Sequence, residues 1–268
     1  MPSADIDGVE LVYEERGEGP AVLLVHGTGG SVWEPLPTQL AAAGYRAISY
    51  DRRGFGASGH PPIKDLARHT SDAAALLEAL DVAPALVVGH SMGGVISLDL
   101  AVKRPELMCG LVLIEPPLHF KKHPSATMLR NLIGAQVSRR VRGDEHAAER
   151  FMRWATTTSD GENGYDLTPP AERAALVANS TAIMRELDSG TGEHVKLDDV
   201  GRIELPVVCL IGGITLPEYG RAAQRISKAL PPMAIVNVPG AGHVLPVSHP
   251  QAVVDAVARV AGNPAPTA

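Results

Sequence analysis

The stretch Ala85-Leu86-Val87-Val88-Gly89-His90-Ser91-Met92-Gly93-Gly94 runs from an apolar segment, through a G-x-S-x-G motif, into a helical pattern that continues to Lys103. Small and branched apolar residues in succession suit a strand buried on both faces of a parallel sheet. A serine placed between such a strand and a helix must stand on a sharp turn. Glycines two before and two after it keep Cβ atoms out of that crowded bend. The start of the helix adds unpaired N–H groups beside the hydroxyl. In a chain with 27 glycines the competing reading is a chance match; the strand before the motif and the helix after it argue against chance.

Working outward, the same texture repeats. Ala21-Val22-Leu23-Leu24-Val25, Tyr45 to Tyr50 and Leu111 to Ile114 are further apolar runs. Ile63 to Leu80 carries Leu66, Ala73, Leu76, Leu77 and Leu80 at helical spacing. Strands alternating with helices predict an α/β fold, a mostly parallel sheet with helices on both faces. The pattern breaks at Glu115-Pro116-Pro117. From 117 to 203 the chain reads as helical and irregular, with helices expected over Met128–Val141, Ala147–Trp154 and Ala171–Leu187. Strand texture resumes at Val207-Val208-Cys209-Leu210-Ile211 and Ala234 to Val238, and a last helix is expected from Pro250 to Val260. The organisation predicted is a core of residues 1–116 and 204–268 with a helical cap, 117–203, over the strands' carboxyl ends, where open α/β sheets bind ligands. The tail from Gly262 to Ala268 is expected to fray.

Bulk properties narrow the function. Hydrophobic residues are 45% and charged residues 20%, the proportions of a globular protein. The net charge of −6 and the 4% aromatic content argue against nucleic acid as a partner. The basic run Arg139-Arg140-Val141-Arg142 reads as a solvated helix face. Cys109 and Cys209 lie in apolar runs and are expected to be buried free thiols. No apolar stretch reaches the roughly 18 residues of a membrane span, and the start of the chain lacks a basic and apolar leader. A cytoplasmic enzyme, monomeric or homodimeric, acting on a small molecule is expected.

Two more segments carry chemistry. His26-Gly27-Thr28-Gly29-Gly30 ends the first buried strand. An acyl-transfer site needs two N–H donors aimed at a developing oxyanion, and these are assigned to the backbones of Thr28 and Met92. A plain glycine turn is the alternative, and His26 itself reads as structural. Pro239-Gly240-Ala241-Gly242-His243 follows the final strand. Of ten histidines, His243 is singled out by position: late, after a glycine-rich turn and ahead of the last helix. His249 is assigned to the start of that helix. His119 and His123 are four apart but have no further ligands nearby, so no metal is called for.

Taken together, His26-Gly27, Asp51-Arg52-Arg53-Gly54-Phe55-Gly56-Ala57-Ser58, Gly89-His90-Ser91-Met92-Gly93-Gly94 and Pro239 to His243 resemble the landmarks of the α/β-hydrolase superfamily, in its order. The resemblance implies a serine hydrolase with Ser91 as nucleophile, His243 as base and no cofactor. It also implies an acid. In most relatives this is an aspartate in the loop after the seventh strand; here Gly212-Gly213-Ile214-Thr215-Leu216-Pro217 puts Thr215 there. Some α/β-hydrolases place the acid after the preceding strand, where Glu115 stands, and Glu115 is therefore the expected third member. Glu218 is the rival acid, and Glu115 as the mere start of the cap is the other alternative.

The glutamate position, with Thr215-Leu216-Pro217-Glu218 and Ser248-His249-Pro250, resembles the zearalenone lactonases, which open a resorcylic macrolactone; the chain departs from them at His26-Gly27 and around Ser91. The substrate implied is a carboxylic ester or lactone. Gly27, Gly29, Trp154 and Leu216 are the expected substrate contacts, with Phe120, Met128, Leu129, Ile133, Met152, Trp154 and Met184 either lining a pocket or forming the cap's own core. Two other functions stay open: a carbon–carbon bond hydrolase of ring-cleavage products, and a non-catalytic ligand receptor on the same fold.

Overall fold

The computed structural model describes residues 1–61, 65–168 and 170–262. The start of the helix expected from Ile63 and the tail beyond residue 262 lie outside them. Eight strands build one sheet: β1 (Ser3–Ile6), β2 (Val9–Arg16), β3 (Ala21–Val25), β4 (Arg46–Tyr50), β5 (Ala85–His90), β6 (Met108–Ile114), β7 (Val207–Gly212) and β8 (Ala234–Val238). Their order is β1-β2-β4-β3-β5-β6-β7-β8. Only β1–β2 and β2–β4 pair antiparallel; every other pair is parallel. The chain leaves β3 for β4 on one side and returns to β5 on the other. The carboxyl ends of β3 and β5 therefore flank a topological switch point, the place where such sheets form a crevice.

Helices cover both faces, as the apolar runs predicted. Around the sheet stand α1 (Leu36–Ala42), α2 (Ala67–Ala79) and α3 (Met92–Lys103). The segment between β6 and β7 holds α4 (Ala126–Arg142), α5 (Asp144–Ala155), α6 (Gly164–Leu167), α7 (Pro170–Ala178), α8 (Ser180–Ser189) and α9 (Leu197–Val200). The last part adds α10 (Pro217–Ala229), α11 (Leu245–Ser248) and α12 (Pro250–Val260). Alternation along the strands sorts two cores. Leu23, Val25 and Val87 pack with α2, α3 and α10, whereas Val22, Leu24 and Val88 pack with α1 and α12. Val195, Val200 and Ile203 join the first core, so the end of the segment between β6 and β7 packs with the sheet layer.

Two expectations are corrected. The helix foreseen over Ala171–Leu187 is two helices, α7 and α8, parted at Asn179. The Asn179 amide reaches the Gly29 carbonyl and the Gly56 N–H, while its backbone keeps helical hydrogen bonds to the Ala175 carbonyl and from the Ile183 N–H. Cys209 is buried, but Cys109 is exposed. Ala85 pairs with Met108 and Leu86 with Gly110, so Cys109 is the extra residue of a bulge, which turns it out of the alternation. Among the described residues no helix is long and apolar enough to cross a membrane.

Candidate active site

The turn from β5 to α3 puts Ser91 at φ 52° and ψ −121°, a region that a residue with a side chain occupies only under constraint. The constraint is visible. The Ser91 N–H donates to the Ile114 carbonyl at 2.8 Å, and its own carbonyl accepts from Gly94 N–H at 2.9 Å. A Cβ on Gly93 would collide with the Val25 carbonyl, and one on Gly27 would lie 2.8 Å from the Ser91 Cβ. Glycine at these two positions lets helix, strand end and neighbouring turn close around the serine.

His243, in the loop after β8, lies with its Nε2 3.0 Å from the Ser91 hydroxyl oxygen and its Nδ1 2.6 Å from Glu115 Oε2. Glu115 is wholly buried. It receives three hydrogen bonds: from Gly212 N–H to Oε1 at 2.8 Å, from the Thr215 hydroxyl to Oε2 at 2.9 Å, and from His243. The structure thus brings Ser91, His243 and Glu115 into one hydrogen-bonded line. Glu218 lies elsewhere, accepting from the Ser125 hydroxyl and facing Arg221. Thr215, which stands where the resemblance led to the expectation of an acid, donates its hydroxyl to Glu115.

Two aromatic rings lie against the imidazole. Tyr219, from α10, stacks on His243 with ring centroids 4.2 Å apart and an interplanar angle of 13°. Its hydroxyl lies 3.2 Å from His243 Nε2 and 3.3 Å from the Ala155 carbonyl. Burial, then the nearby Glu115 and Glu218, raise the Tyr219 pKa well above the usual phenol value, so it stays protonated. His90 lies on another side, 4.8 Å between centroids, and donates Nε2–H to the His243 carbonyl at 2.8 Å. Burial, with His243 nearby, pushes the His90 pKa down to about 3, so His90 is a neutral brace. Trp33 stands edge-on to His90.

The N–H groups of Thr28 and Met92 both stand at the switch point, and neither donates to a backbone carbonyl outside the regular elements among the described residues. His26 is buried and hydrogen-bonded, as a structural histidine: burial and Arg52 hold its pKa well below the usual value. Above Ser91 opens a cavity of about 100 Å³, lined in part by residues of the helical segment between β6 and β7. Gly27, Thr28, Gly29, Met92 and Trp154 line it, with Tyr219, Phe120, Met128 and Met152. Leu216 does not. It packs on the Phe120–Trp154–Tyr219 cluster and faces an outer groove. Its backbone is extended, so it points away from the side to which its neighbour Thr215 turns. Of the other residues weighed between β6 and β7, Met184 packs in a buried cluster with Ala147, Ala148, Ile183 and Phe55, the last from the loop after β4, while Leu129 and Ile133 are exposed.

Sequence reasoning missed the placing of Tyr219 and His90 beside His243 and the part played by Thr215. Only Thr215 left a signal, as a hydroxyl standing where a carboxylate was expected.

Residues 22–256 match the Alpha/beta hydrolase family, and the chain belongs to it. It is a hydrolase by family and by site. Among curated proteins it is 30% identical to a putative non-heme bromoperoxidase, BpoC, of Mycobacterium tuberculosis, over 94% of this chain and 97% of that one. It is 27% identical to 2-(acetamidomethylene)succinate hydrolase of Mesorhizobium japonicum, over 94% and 92%. The crystal structure of BpoC superposes with a TM-score of 0.74 at 26% identity, covering 94% of this chain and 95% of that one.

Proposed function

We propose that this chain hydrolyses a carboxylic ester or lactone through an acyl-enzyme on Ser91. The observation that carries the reading is His243, with one ring nitrogen on the Ser91 hydroxyl and the other on a buried carboxylate. Glu115 holds the proton on Nδ1, which leaves the Nε2 lone pair facing the hydroxyl. His243 takes the Ser91 proton as the oxygen attacks the substrate carbonyl. The N–H groups of Thr28 and Met92 bind the oxyanion, each worth about 10²–10³ in rate. The imidazolium then protonates the leaving alcohol, and water, deprotonated by His243, releases the acid.

The cavity supports a compact apolar acyl or ring group. It is several-fold smaller than the roughly 300–1,000 Å³ of pockets for drug-sized ligands. A resorcylic macrolactone of the zearalenone type is the larger alternative, and it requires the cap to yield around Met128 and Trp154. A dicarboxylate such as the Mesorhizobium relative's name implies is less well matched. Among the described lining residues the one Lys or Arg is Lys121, and its ammonium already donates to the Leu187 carbonyl at 2.7 Å. A fluorophosphonate label followed by peptide mapping, then a panel of short aryl esters, small lactones, macrolactones and a vinylogous diketone, tests the reading. Labelling on Ser91 with turnover of short esters is expected. A label elsewhere, or cleavage of the diketone alone, overturns it.

A further inference from the structure

The turn after β3 is held by side chains from outside it. Among the described residues, no backbone–backbone hydrogen bond beyond the regular elements involves residues 27–32. Gly29 and Gly30 both have φ near +124°, a conformation that glycine enters readily and leaves as readily. Left alone, such a turn samples many shapes. Yet oxyanion donors act through being fixed before the charge develops.

What fixes the turn comes largely from the cap. The Thr28 hydroxyl donates to Glu186 Oε2 at 2.6 Å. The Gly29 carbonyl accepts from Asn179 Nδ2 at 2.9 Å. Asn179 Oδ1 in turn accepts from Gly56 N–H at 3.0 Å, which ties the same side chain to the core. Glu186 Oε1 pairs with the Arg52 guanidinium at 2.5 Å, and Arg52 donates to the Gly27 carbonyl at 3.0 Å. Three consecutive turn residues are thus pinned, two of them by cap side chains. The holders are buried: Arg52 is 0%, Glu186 5% and Asn179 7% exposed. Asn179 also sits at the junction of α7 and α8.

We propose that Asn179 and Glu186 are positioning residues that set the oxyanion donor at Thr28, so that the cap, through these two side chains, completes the catalytic centre. The proposal rests on the acyl-enzyme reading and deepens it. The alternative role, sealing the seam between cap and core, needs neither bond to fall on the turn.

The test uses Thr28→Val, Thr28→Ser and Asn179→Ala in the full chain. Glu186 is left in place because its removal strands the buried Arg52 charge. Four quantities are measured: kcat and KM on a short aryl ester, the inhibition constant of a trifluoromethyl ketone, which mimics the tetrahedral oxyanion, and the urea midpoint. Thr28→Val and Asn179→Ala are expected to lower kcat about 10–100-fold and to weaken the ketone in parallel. KM should stay within about threefold, and Thr28→Ser should restore most of what Thr28→Val loses. A lower urea midpoint with kcat and ketone affinity within about twofold of the parent would overturn the proposal, leaving a seam contact only. If Ser91 of the parent chain takes no fluorophosphonate, the acyl-enzyme reading falls and takes this one with it. A labelled Ser91 with unmoved ketone affinity sinks this one alone.

Discussion

Replacing Glu115 by Gln changes one atom and, on this geometry, disables the base. Gly212 N–H is a fixed backbone donor to Oε1, so the amide of a glutamine must turn its oxygen to that side. Its NH2 group then takes the place of Oε2, 2.6 Å from His243 Nδ1. An NH2 there can only donate, so the imidazole proton moves to Nε2, where it faces Ser91 as a donor. The serine loses its acceptor, and the imidazolium that forms during attack loses its counter-charge. The corresponding loss of tautomer control in serine proteases costs about 10⁴ in kcat, which is about 5 kcal/mol of barrier. Glu115 does not line the cavity, so KM should hold within about threefold. The assay is steady-state cleavage of a short aryl ester from pH 6 to 9, beside the rate of fluorophosphonate labelling. Both should fall by about 10³–10⁴ at neutral pH. Glu218→Gln keeps an acceptor for the Ser125 hydroxyl and should stay within about threefold. Intact turnover in Glu115→Gln with its collapse in Glu218→Gln would refute the argument.

Further perturbations probe the surroundings. Tyr219→Leu removes the ring stacked on His243 and should lower kcat about 10-fold by loosening the orientation of the imidazole. Tyr219→Phe keeps that ring and should leave kcat within about threefold; equal losses in both would assign the effect to the hydroxyl. Burial depresses the pKa of His26, His69 and His90, the last to about 3. Below an unfolded value of about 6.5 the unfolded chain binds protons that the folded chain refuses. Stability should be unaffected by these groups at pH 8 and fall as the pH drops below about 6.5, by up to about 1.4 kcal/mol per pH unit for each histidine; urea midpoints equal at pH 8 and pH 5 would contradict this. Gly93→Ala forces a methyl against the Val25 carbonyl and should cost at least about 1–3 kcal/mol in chemical denaturation, with slower labelling of Ser91.

The inner sheet was legible because its strands are buried on both faces and read as unbroken apolar runs, as at Ala21–Val25 and Val207–Ile211; the edge strand Ala234–Val238 exposes Ile235 and Asn237 and shows only as a short apolar-rich run. The serine turn was legible because close backbone approach demands glycine, and His243 because loop order along the sheet limits which histidine can arrive. Glu115 followed from an absence at Thr215. What stayed hidden depends on contacts between distant parts of the chain. Glu186, charged within a helical run, has the pattern of a solvated face; its partner Arg52 lies 134 positions away. Asn179 lies within a run whose apolar spacing continues through Leu176 and Ile183. Tyr219 reads as one more core aromatic of an amphipathic helix, and nothing local reveals that the imidazole lies on its face.

The pairing of Glu115 with Thr215 bears on how such a centre changes over evolutionary time. The two side chains meet at one point, from adjacent strands, and only one of them needs to bear charge. Introducing aspartate at 215 alone would set two carboxylates against each other, one of which must take up a proton to remain buried. Losing glutamate at 115 alone would leave the base unsupported. Migration of the acid between neighbouring strands is therefore a two-step crossing through a disadvantaged intermediate, and lineages on either side of it should rarely interconvert.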